Sequence, residues 1–361
     1  MDGCLTRWIA AAALGLLPIN GFAERLNNEW FSTTRNLSMG NAGIASSSDP
    51  TSAMFYNPAA LSRAKRVSFE AFNPQLDIGT NVFSLSEGTS LPDNLSLEKI
   101  QPALRGSNYK ASSLGLSLYP NFYTPSFNFG ILLKAEGISY FDGTNTVYRS
   151  RYLVMPTAAF TTAIFHGRLR FGLALRAISL TENDQQSSAT SGLGYRMNAA
   201  EGFGFAADAG ALIALPWAGL PTIGFVARNL GDTRFSKTAP VGFATGTATR
   251  RANIPMSFDG GVSLVPKVGK ATTLTVAADY RDLLNGSGTA TLRHVNLGAE
   301  LEFSKTFSLR GGVSQGYWTA GFGLSSKLGS LDIGTYADEL NPSGFRKNPD
   351  RRISFRYGSK F

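Results

Sequence analysis

The chain alternates apolar and polar residues with a period of two over long stretches, and this pattern restricts the folds open to it. In the segment HVNLGAELEF, residues 294–303, apolar side chains occupy every second position, and polar residues or glycine fill the positions between them. Successive side chains of a β-strand point to opposite faces, so this segment predicts a strand with one apolar and one polar face. About ten residues is also the length with which a tilted strand crosses a membrane.

The charged residues of the alternating segments lie on the face opposite the large apolar side chains. This set consists of Asp208, Arg228, Asp259, Asp279, Glu300, Arg310, Asp332 and Arg356. An arginine or lysine that faced lipid near the bilayer midplane would cost about 2–4 kcal/mol, so the arrangement is typical of a barrel whose apolar face meets lipid. A soluble sheet protein that buries its apolar face in a core would show the same alternation, and this alternative stays open for any single strand.

Composition favours the membrane barrel over a soluble domain. Charged residues make up 16% of the chain, whereas soluble globular domains contain roughly 25%. The mean hydropathy is near zero, which is too low for a bundle of transmembrane helices. Alternating lipid-facing and lumen-facing residues produce this average.

Fourteen segments carry the alternation, and the connections between them alternate in length. The segments are approximately 67–78, 112–119, 126–138, 152–165, 169–180, 203–215, 222–230, 256–265, 272–280, 294–303, 307–314, 317–326, 330–338 and 351–360. Connections after most odd-numbered segments are long, about 13 to 33 residues, and those after even-numbered segments have about three to six. Bacterial outer-membrane barrels have short periplasmic turns and long outer loops. Because a strand edge cannot stay unpaired in lipid, the sequence predicts an all-β fold, a closed antiparallel transmembrane β-barrel of about 14 strands.

The N-terminus has the layout of an export signal. Arg7 supplies a positive charge, residues 8–17 form an apolar core, and Ala23 ends a run suited to cleavage. The apolar core is too short to span a bilayer. We therefore expect residues 1–23 to be a cleaved signal peptide and the protein to lie in the outer membrane of a Gram-negative-type bacterium.

The remaining chemistry indicates neither an enzyme nor a nucleic-acid-binding protein. The net charge of +9 comes from scattered residues, so the expected basic-surface partner is outer-membrane lipid or lipopolysaccharide, with no nucleic acid. The single cysteine, Cys4, lies in the predicted signal peptide, and no motif pairs His166 or His294 with a nucleophile. The sequence thus predicts no catalytic residue, no cofactor and no metal site.

Residues 24–66 lack the alternation and precede the first strand. Two dipeptides, Asp49-Pro50 and Asn57-Pro58, each place a capping side chain before a proline and predict two short helices. A barrel of this size has a lumen too wide for its own side chains to fill. The segment is therefore predicted to fold into the lumen as a hatch, or plug.

The barrel would then occupy residues 67–361. A disordered periplasmic tail is the alternative for residues 24–66, but Met54, Phe55 and Tyr56 belong to residue types that are depleted in disordered segments.

The stretch RNLSMGNAGIASSSDPTSAMFYNPAAL resembles the hatch signature of the FadL-type outer-membrane transporters of long-chain fatty acids and aromatic hydrocarbons. The matching residues are Ser38, Met39, Gly40, Asn57, Pro58 and Ala59. The resemblance implies passive uptake of hydrophobic small molecules through a hatch-gated lumen, with exit through a lateral opening. PorV-type hatch barrels share the motif, so an outer-membrane scaffold or binding partner in protein secretion, without solute transport, is the alternative.

Several side chains predicted to face the lumen are candidates for contact with a hydrophobic ligand. The apolar candidates are Phe72, Leu132, Met155, Ile178, Leu212 and Val226. Arg176, Arg228 and Arg310 are candidates to hold a carboxylate. For most of these residues the favoured alternative is packing against the hatch.

Pro156 lies within the fourth strand and cannot donate a hydrogen bond to the sheet. It predicts a bulge or gap in the wall, which is our candidate for the lateral opening. A position above the membrane, where the strand begins, is the alternative.

The C-terminus ends in Phe361, with Tyr357 and Phe355 at alternate positions before it. This pattern resembles the signal by which the outer-membrane assembly machinery recognises barrel proteins.

Overall fold

A computed structural model describes residues 29–47, 49–82, 104–106, 110–187, 199–237, 239–243, 249–250, 252–286, 288–341 and 344–359. The predicted signal peptide and Phe361 lie outside these residues. Within the described ranges, no helix combines the length and apolar character needed to cross a membrane.

Fourteen antiparallel strands form a closed barrel, as the sequence predicts. Their bounds are β1 (Ser68–Glu70 and Gln75–Gly79), β2 (Ser112–Leu118 and Asn121–Tyr123), β3 (Phe127–Phe141), β4 (Thr146–Ile164), β5 (Leu169–Ser187), β6 (Ala200–Ala214), β7 (Thr222–Arg228), β8 (Ser257–Leu264), β9 (Thr272–Tyr280), β10 (Val295–Phe303), β11 (Phe307–Ser314), β12 (Tyr317–Ser325), β13 (Gly329–Glu339) and β14 (Pro349–Ser359). Each strand pairs with the next, and β14 pairs back onto β1, with Ile353 opposite Ile78. A two-residue strand, Thr249–Arg250, adds to the start of β6.

The apolar faces of the strands point outward. On β3, Phe129, Ile131 and Leu133 are 48%, 38% and 40% exposed, whereas the residues between them are buried. The eight charged residues predicted for the polar face all point into the lumen. This combination excludes the soluble sandwich, because such a fold would bury its apolar faces. Phe355 and Tyr357 belong to the outer apolar face of β14.

Two loops are shorter than predicted. One of them follows β5, because β5 continues to Ser187 and β6 begins at Ala200, so the connection predicted over residues 181–202 shortens at both ends. The sequence predicts a connection of 13 residues between β3 and β4, but both strands continue and leave only residues 142–145 between them. The extension carries few apolar side chains at alternate positions, so periodicity misses it. A local turn signal is present, since the Asp142 carboxylate accepts hydrogen bonds from the Thr144 and Asn145 amides at 2.8 and 2.7 Å.

The predicted inward orientation of Phe72 is wrong. Phe72 is 55% exposed on the outer face, because β1 is interrupted and its side-chain alternation shifts by one residue. Glu70 and Asn73 are the neighbouring buried residues. The Asn73 side-chain amide accepts from the Tyr119 amide at 2.7 Å and donates to the Tyr119 carbonyl, so it replaces a peptide group in the sheet. The alternation of apolar and polar residues does not reveal a side chain that takes the place of a main-chain group in the sheet.

The described residues before β1 lie inside the barrel. They form helix α1 (Thr34–Ser38), helix α2 (Pro50–Tyr56) and a short 3-10 helix (Pro58–Arg63), and most of their side chains are buried. The two proline-started helices are those predicted. The Asp49 carboxylate caps α2 through the Thr51 amide at 3.4 Å, and the Asn57 side chain caps the 3-10 helix through the Ala59 amide at 3.0 Å.

Candidate functional site: the plugged lumen

The plug, which is the described part of residues 29–66, lies directly against wall glycines. A β-carbon at Gly298 would lie 2.0 Å from the Met39 carbonyl oxygen, and one at Gly210 would lie 2.1 Å from the Asn57 side-chain oxygen. Similar positions occur on eight strands, and we call them the glycine belt: Gly172, Gly210, Gly224, Gly261, Gly298, Gly312, Gly321 and Gly334. At Gly172, Gly224, Gly298 and Gly312 a near atom belongs to the plug main chain, so any larger residue there would displace the plug, because real side chains do not approach this closely.

Two wall arginines cap the C-terminal end of α2. Arg176 donates to the Met54 carbonyl oxygen at 3.0 Å. Arg228 donates to the carbonyl oxygens of Phe55 and Tyr56 at 2.7 and 3.1 Å. The last carbonyls of a helix have no partner within it and carry partial negative charge, so two cations are well matched to this helix end.

Buried carboxylates hold these two arginines in place. Asp208 lies 2.6 Å from Arg176 Nη1 and 3.6 Å from Arg228 Nη1, and Asp259 pairs with Arg228 Nε. All four side chains are at least 97% buried. A buried ion pair of this kind is costly to break, because its loss leaves an uncompensated charge. The two carboxylates therefore hold the two arginines in position to contact the plug.

A second polar anchor holds the turn after α1. The Asp279 carboxylate accepts from the amides of Gly43 and Ile44 at 2.6 and 2.9 Å. Next to it, Arg281 donates to the Asn41 carbonyl oxygen at 2.8 Å and lies 2.9 Å from the Glu29 carboxylate. Charge-assisted bonds to the plug main chain thus come from β5, β7 and the end of β9, which lie in one half of the barrel.

The first half of the hatch motif meets β12. The Thr319 hydroxyl accepts from the Gly40 amide and donates to the Ser38 carbonyl oxygen, both at 2.9 Å. Gly40 has a φ of +62°, a conformation that other residues rarely adopt. Met39, between them, is 1% exposed.

The second half of the motif ties the plug to β6. Besides capping the 3-10 helix, the Asn57 side chain donates to the carbonyl oxygens of Ile44, in the plug, and Ala211, on β6, at 3.1 Å each. Pro58 begins the 3-10 helix, and Ala59 is fully buried beside Gly172. The motif residues are therefore contacts of the plug with itself and with the wall.

Four of the six apolar lumen candidates lie together, whereas Val226 is buried outside their cluster and Phe72 is on the outer face. Leu132, Met155 and Ile178 are fully buried in one cluster with Met54 and Phe55 of the plug. Leu212 belongs to the same cluster. This arrangement agrees with the alternative of packing against the hatch, and it forms an apolar strip along β3 to β6.

Arg310 lies apart from Arg176 and Arg228. Its Nη1 is 2.6 Å from the Asp332 carboxylate and its Nη2 donates to the Ser308 hydroxyl at 2.7 Å. It lines a polar cavity of about 180 Å³ between the plug and the β10–β14 wall, together with Arg35 and Glu300. The three arginine candidates thus belong to two different ion-pair groups.

The wall has an interruption at Pro156. Pro156 lies opposite Ile131 of β3, but the Ile131 amide bonds away from it, to Pro120, so the Pro156 nitrogen points toward β5. On that side the pairing stops after Val154 and resumes at Thr157 with no inserted residue. Two rungs between β4 and β5 are missing because proline has no amide hydrogen. The predicted bulge is absent, because no residue is inserted, and a gap in the wall stays a prediction that the two missing rungs favour.

Sequence reasoning missed the glycine belt and the anchors Asp279 and Arg281. A signal for the belt exists, because these glycines fall on the polar face of their strands by the same alternation. Within the described ranges, no group of three or more histidine, cysteine, aspartate or glutamate side chains is placed to hold a metal ion.

Comparisons with known proteins identify the fold. No family model and no curated protein matches the sequence. Among solved structures, the chain is similar to the toluene transporter TbuX of Ralstonia pickettii, with a TM-score of 0.50 and 14% identity, over 92% of this chain and 98% of that one. The Pseudomonas putida toluene transporter TodX has a TM-score of 0.49 and 12% identity, over 91% of this chain and 96% of that one. A Pseudomonas aeruginosa FadL homologue has a TM-score of 0.47 and 12% identity, over 91% of this chain and 98% of that one. The fourteen-strand barrel with its N-terminal segment inside the lumen therefore has the fold of the FadL-type transporters.

Proposed function

We propose that the protein is an outer-membrane channel for passive uptake of hydrophobic small molecules, such as long-chain fatty acids or similar apolar compounds. One observation carries the proposal: a lipid-facing barrel is closed by its own N-terminal segment, and an apolar strip runs between plug and wall. A wide barrel with an internal plug suits gated passage rather than an open pore. The solved structure TbuX, a toluene transporter with the same fold, supports this class of function.

The apolar strip and the two missing rungs lie at the same place in the wall. Met155 on β4 and Ile178 on β5 belong to the strip, and they are the inward-facing residues of the two missing rungs. Pro156 is the exposed neighbour of Met155 on the outer face. We propose that the wall opens at these rungs and that an apolar molecule leaves the strip sideways through this opening into the membrane. The molecule then does not cross the part of the lumen that is lined by ion pairs.

The plug is proposed as the gate, because it occupies the lumen beside the strip. Met54 and Phe55 lie at the end of α2, where Arg176 and Arg228 hold the helix. Movement of the plug as a whole, which would carry this helix end away from the wall, would uncover Leu132, Met155 and Ile178. We assign Arg176 and Arg228 mainly to holding the plug, since their guanidinium groups already bind carboxylates and carbonyl oxygens.

A tether between plug and wall tests the gate. The hydroxyl oxygens of Thr34 and Ser354 are 2.7 Å apart and both residues are fully buried, so Thr34→Cys with Ser354→Cys places two sulfurs within reach of a disulfide. Proteoliposomes with the wild type should take up oleate and toluene faster than empty liposomes. The oxidised double variant should lose most of this uptake and regain it on reduction, and each single variant is the control.

Two outcomes would contradict the proposal at different points. Uptake by the wild type no faster than by empty liposomes excludes the channel and leaves the secretion scaffold. Unchanged uptake in the oxidised variant keeps the channel and excludes displacement of the tethered part of the plug as its gate.

A further inference from the structure

Arg351 is the exception to the inward orientation of the strand cations. Among the lysine and arginine residues that the structure describes within the fourteen strands, the others point into the lumen. Arg351 shares the outer face of β14 with Phe355 and Tyr357, whereas the next residue, Arg352, is buried. It lies near the start of β14, at the end of the barrel that carries the long loops. A charge on the outer face costs little at this level, because the penalty falls toward zero at the membrane interface.

The guanidinium group of Arg351 lies over Trp318 of β12. Its central carbon is 3.9 Å from the centroid of the indole ring, and Trp318 is 58% exposed on the same outer face. Nη1 and Nη2 both donate to the Trp318 carbonyl oxygen at 3.3 Å, and Nη1 donates to the Thr335 hydroxyl at 3.4 Å. Ala337, which lies opposite Arg351 on β13, is small enough for the arginine side chain to pass over it. These contacts hold the guanidinium group in one place on the outer face.

One edge of this guanidinium group is left for a ligand. None of the described residues places a carboxylate within 4.0 Å of Arg351 or an acceptor at its Nε. Nε and the second hydrogen of Nη2 point in the same direction, and such an edge binds two oxygens of a phosphate group at once. An arginine that is already held by its neighbours loses little conformational freedom on binding. Arg351 is therefore a preorganised pair of donors for an anion at the outer interface.

The loop after β13 brings two further cations to the same place. The buried Glu339 carboxylate holds this loop, because it accepts from the amides of Asn341, Lys347 and Asn348 at 3.0, 2.6 and 2.9 Å. The side chains of Arg346 and Lys347 are exposed. The loop thus presents two positive charges to the outside from a fixed main chain.

The exposed charges in this part of the rim are positive. Arg346 lies beside the turn before β12, since a β-carbon at Gly316 would be 2.7 Å from its Cγ atom. The acidic residues between positions 335 and 351 are at most 3% exposed; these are Asp338, Glu339 and Asp350. An anionic partner therefore meets no exposed carboxylate among these residues. We call the following set the outer corner: Trp318, Arg346, Lys347 and Arg351.

The wall between the outer corner and the short turns is apolar. Outward side chains of β12 to β14 there are 37–48% exposed; these are Phe322, Leu324, Leu331, Phe355 and Tyr357. Cations at the rim and apolar side chains beneath them match a molecule that has phosphate groups at one end and acyl chains at the other.

We propose that the outer corner docks lipopolysaccharide, with a phosphate of its lipid A on the free edge of Arg351 and acyl chains on the apolar wall beneath. The long-loop end of the barrel lies in the outer leaflet, where lipopolysaccharide is the anionic lipid. Lipid A has phosphates at both ends of its disaccharide, and the outer corner has cations on two separate elements, β14 and the loop before it. This inference concerns the outside of the barrel and does not depend on the proposed uptake.

The test measures binding of diphosphoryl lipid A to the detergent-purified protein by native mass spectrometry, with phosphatidylglycerol as the comparison ligand. We expect Arg351→Gln to weaken lipid A binding about tenfold, since it removes a charge-assisted paired contact. Trp318→Leu should weaken it about threefold through loss of the cation–π contact. Arg351→Lys should fall between the wild type and Arg351→Gln, because lysine keeps the charge but not the paired donors. Arg234→Gln, which changes an exposed arginine in the loop after β7, is the matched control.

Three results would overturn the assignment. These are unchanged lipid A binding in Arg351→Gln, an equal loss in Arg234→Gln, or phosphatidylglycerol binding that is as tight as that of lipid A and equally sensitive to Arg351→Gln. The last result would replace lipopolysaccharide by any phosphate-bearing lipid. Heat-dependent gel mobility checks that each variant is folded. Absence of toluene uptake by wild-type proteoliposomes would contradict the channel and leave the outer corner unaffected.

Discussion

At Gly298 the wall and the plug are closer than any side chain would allow. Replacing Gly298 with alanine places a β-carbon 2.0 Å from the Met39 carbonyl oxygen, whereas Gly311→Ala on the neighbouring strand meets its nearest atom, in the wall, at 3.8 Å. We expect Gly298→Ala to lower the free energy of unfolding by about 1–3 kcal/mol through overpacking. Thermal unfolding and ion conductance in planar bilayers check this expectation. Equal melting temperatures and conductance for the two variants would show that the belt does not seat the plug.

The Asn57 side chain caps a helix and also donates hydrogen bonds to two carbonyl oxygens, and two substitutions separate these roles. Asn57→Asp keeps the oxygen that caps the Ala59 amide but loses the donor to the carbonyl oxygens of Ile44 and Ala211. Asn57→Ala loses both, and the cap alone is worth about 1 kcal/mol. Because a carboxylate would face two carbonyl oxygens, we expect Asn57→Asp to speed amide hydrogen exchange in the plug at least as much as Asn57→Ala. Wild-type exchange in Asn57→Asp would reduce the role of Asn57 to capping.

The residue types of the hatch motif predict part of this site. The motif residues Asn57 and Pro58 predict a capped helix start, which is a local property. The partner Ala211 lies 154 positions away, and no local pattern indicates it. The inward position of Gly298 follows from alternation, but the reason for glycine there appears only when Met39 is placed beside it.

At the scale of the element, β4 is a long strand with a single defect. Pro156→Val restores an amide donor and suits a strand, so the two missing rungs with β5 should close. We expect a higher melting temperature and slower oleate uptake, with hydrogen exchange showing new protection near residue 177. Faster or unchanged uptake in a folded Pro156→Val variant would exclude the gap as the exit. Val154→Ala, on the same outward face, is the control for a changed wall side chain.

The sequence predicts those elements whose pattern lies within one short segment, and it misses features that depend on contacts with distant residues. The fourteen strands follow from a period of two, and helix α2 follows from Asp49-Pro50. The β3–β4 hairpin extends beyond its apolar pattern, because main-chain pairing continues through polar residues such as Ser139 and Arg149. The sequence of one strand does not indicate that these residues pair; the pairing is seen only when both strands are in place.

At the scale of the whole molecule, the plug and the barrel share one polar network. Deletion of residues 24–60 removes the groups that Arg176, Arg228, Arg281 and Asp279 bind. We expect the truncated barrel to conduct ions in planar bilayers and to unfold at lower temperature, since buried groups lose their partners. Permeability equal to that of the full chain for all solutes would contradict the assignment of residues 29–66 as the plug of the lumen.

The sequence by itself determined the barrel, its strand number, the side of the wall on which most residues lie and the two proline-started helices. Each of these follows from short-range periodicity or from a cap beside its proline, so one chain segment contains the whole signal. The tertiary structure decided which wall residues meet the plug, the outward position of Phe72 and the closed β3–β4 hairpin. These features depend on contacts between residues far apart in the chain, and such contacts exist only after the sheet has closed around the plug.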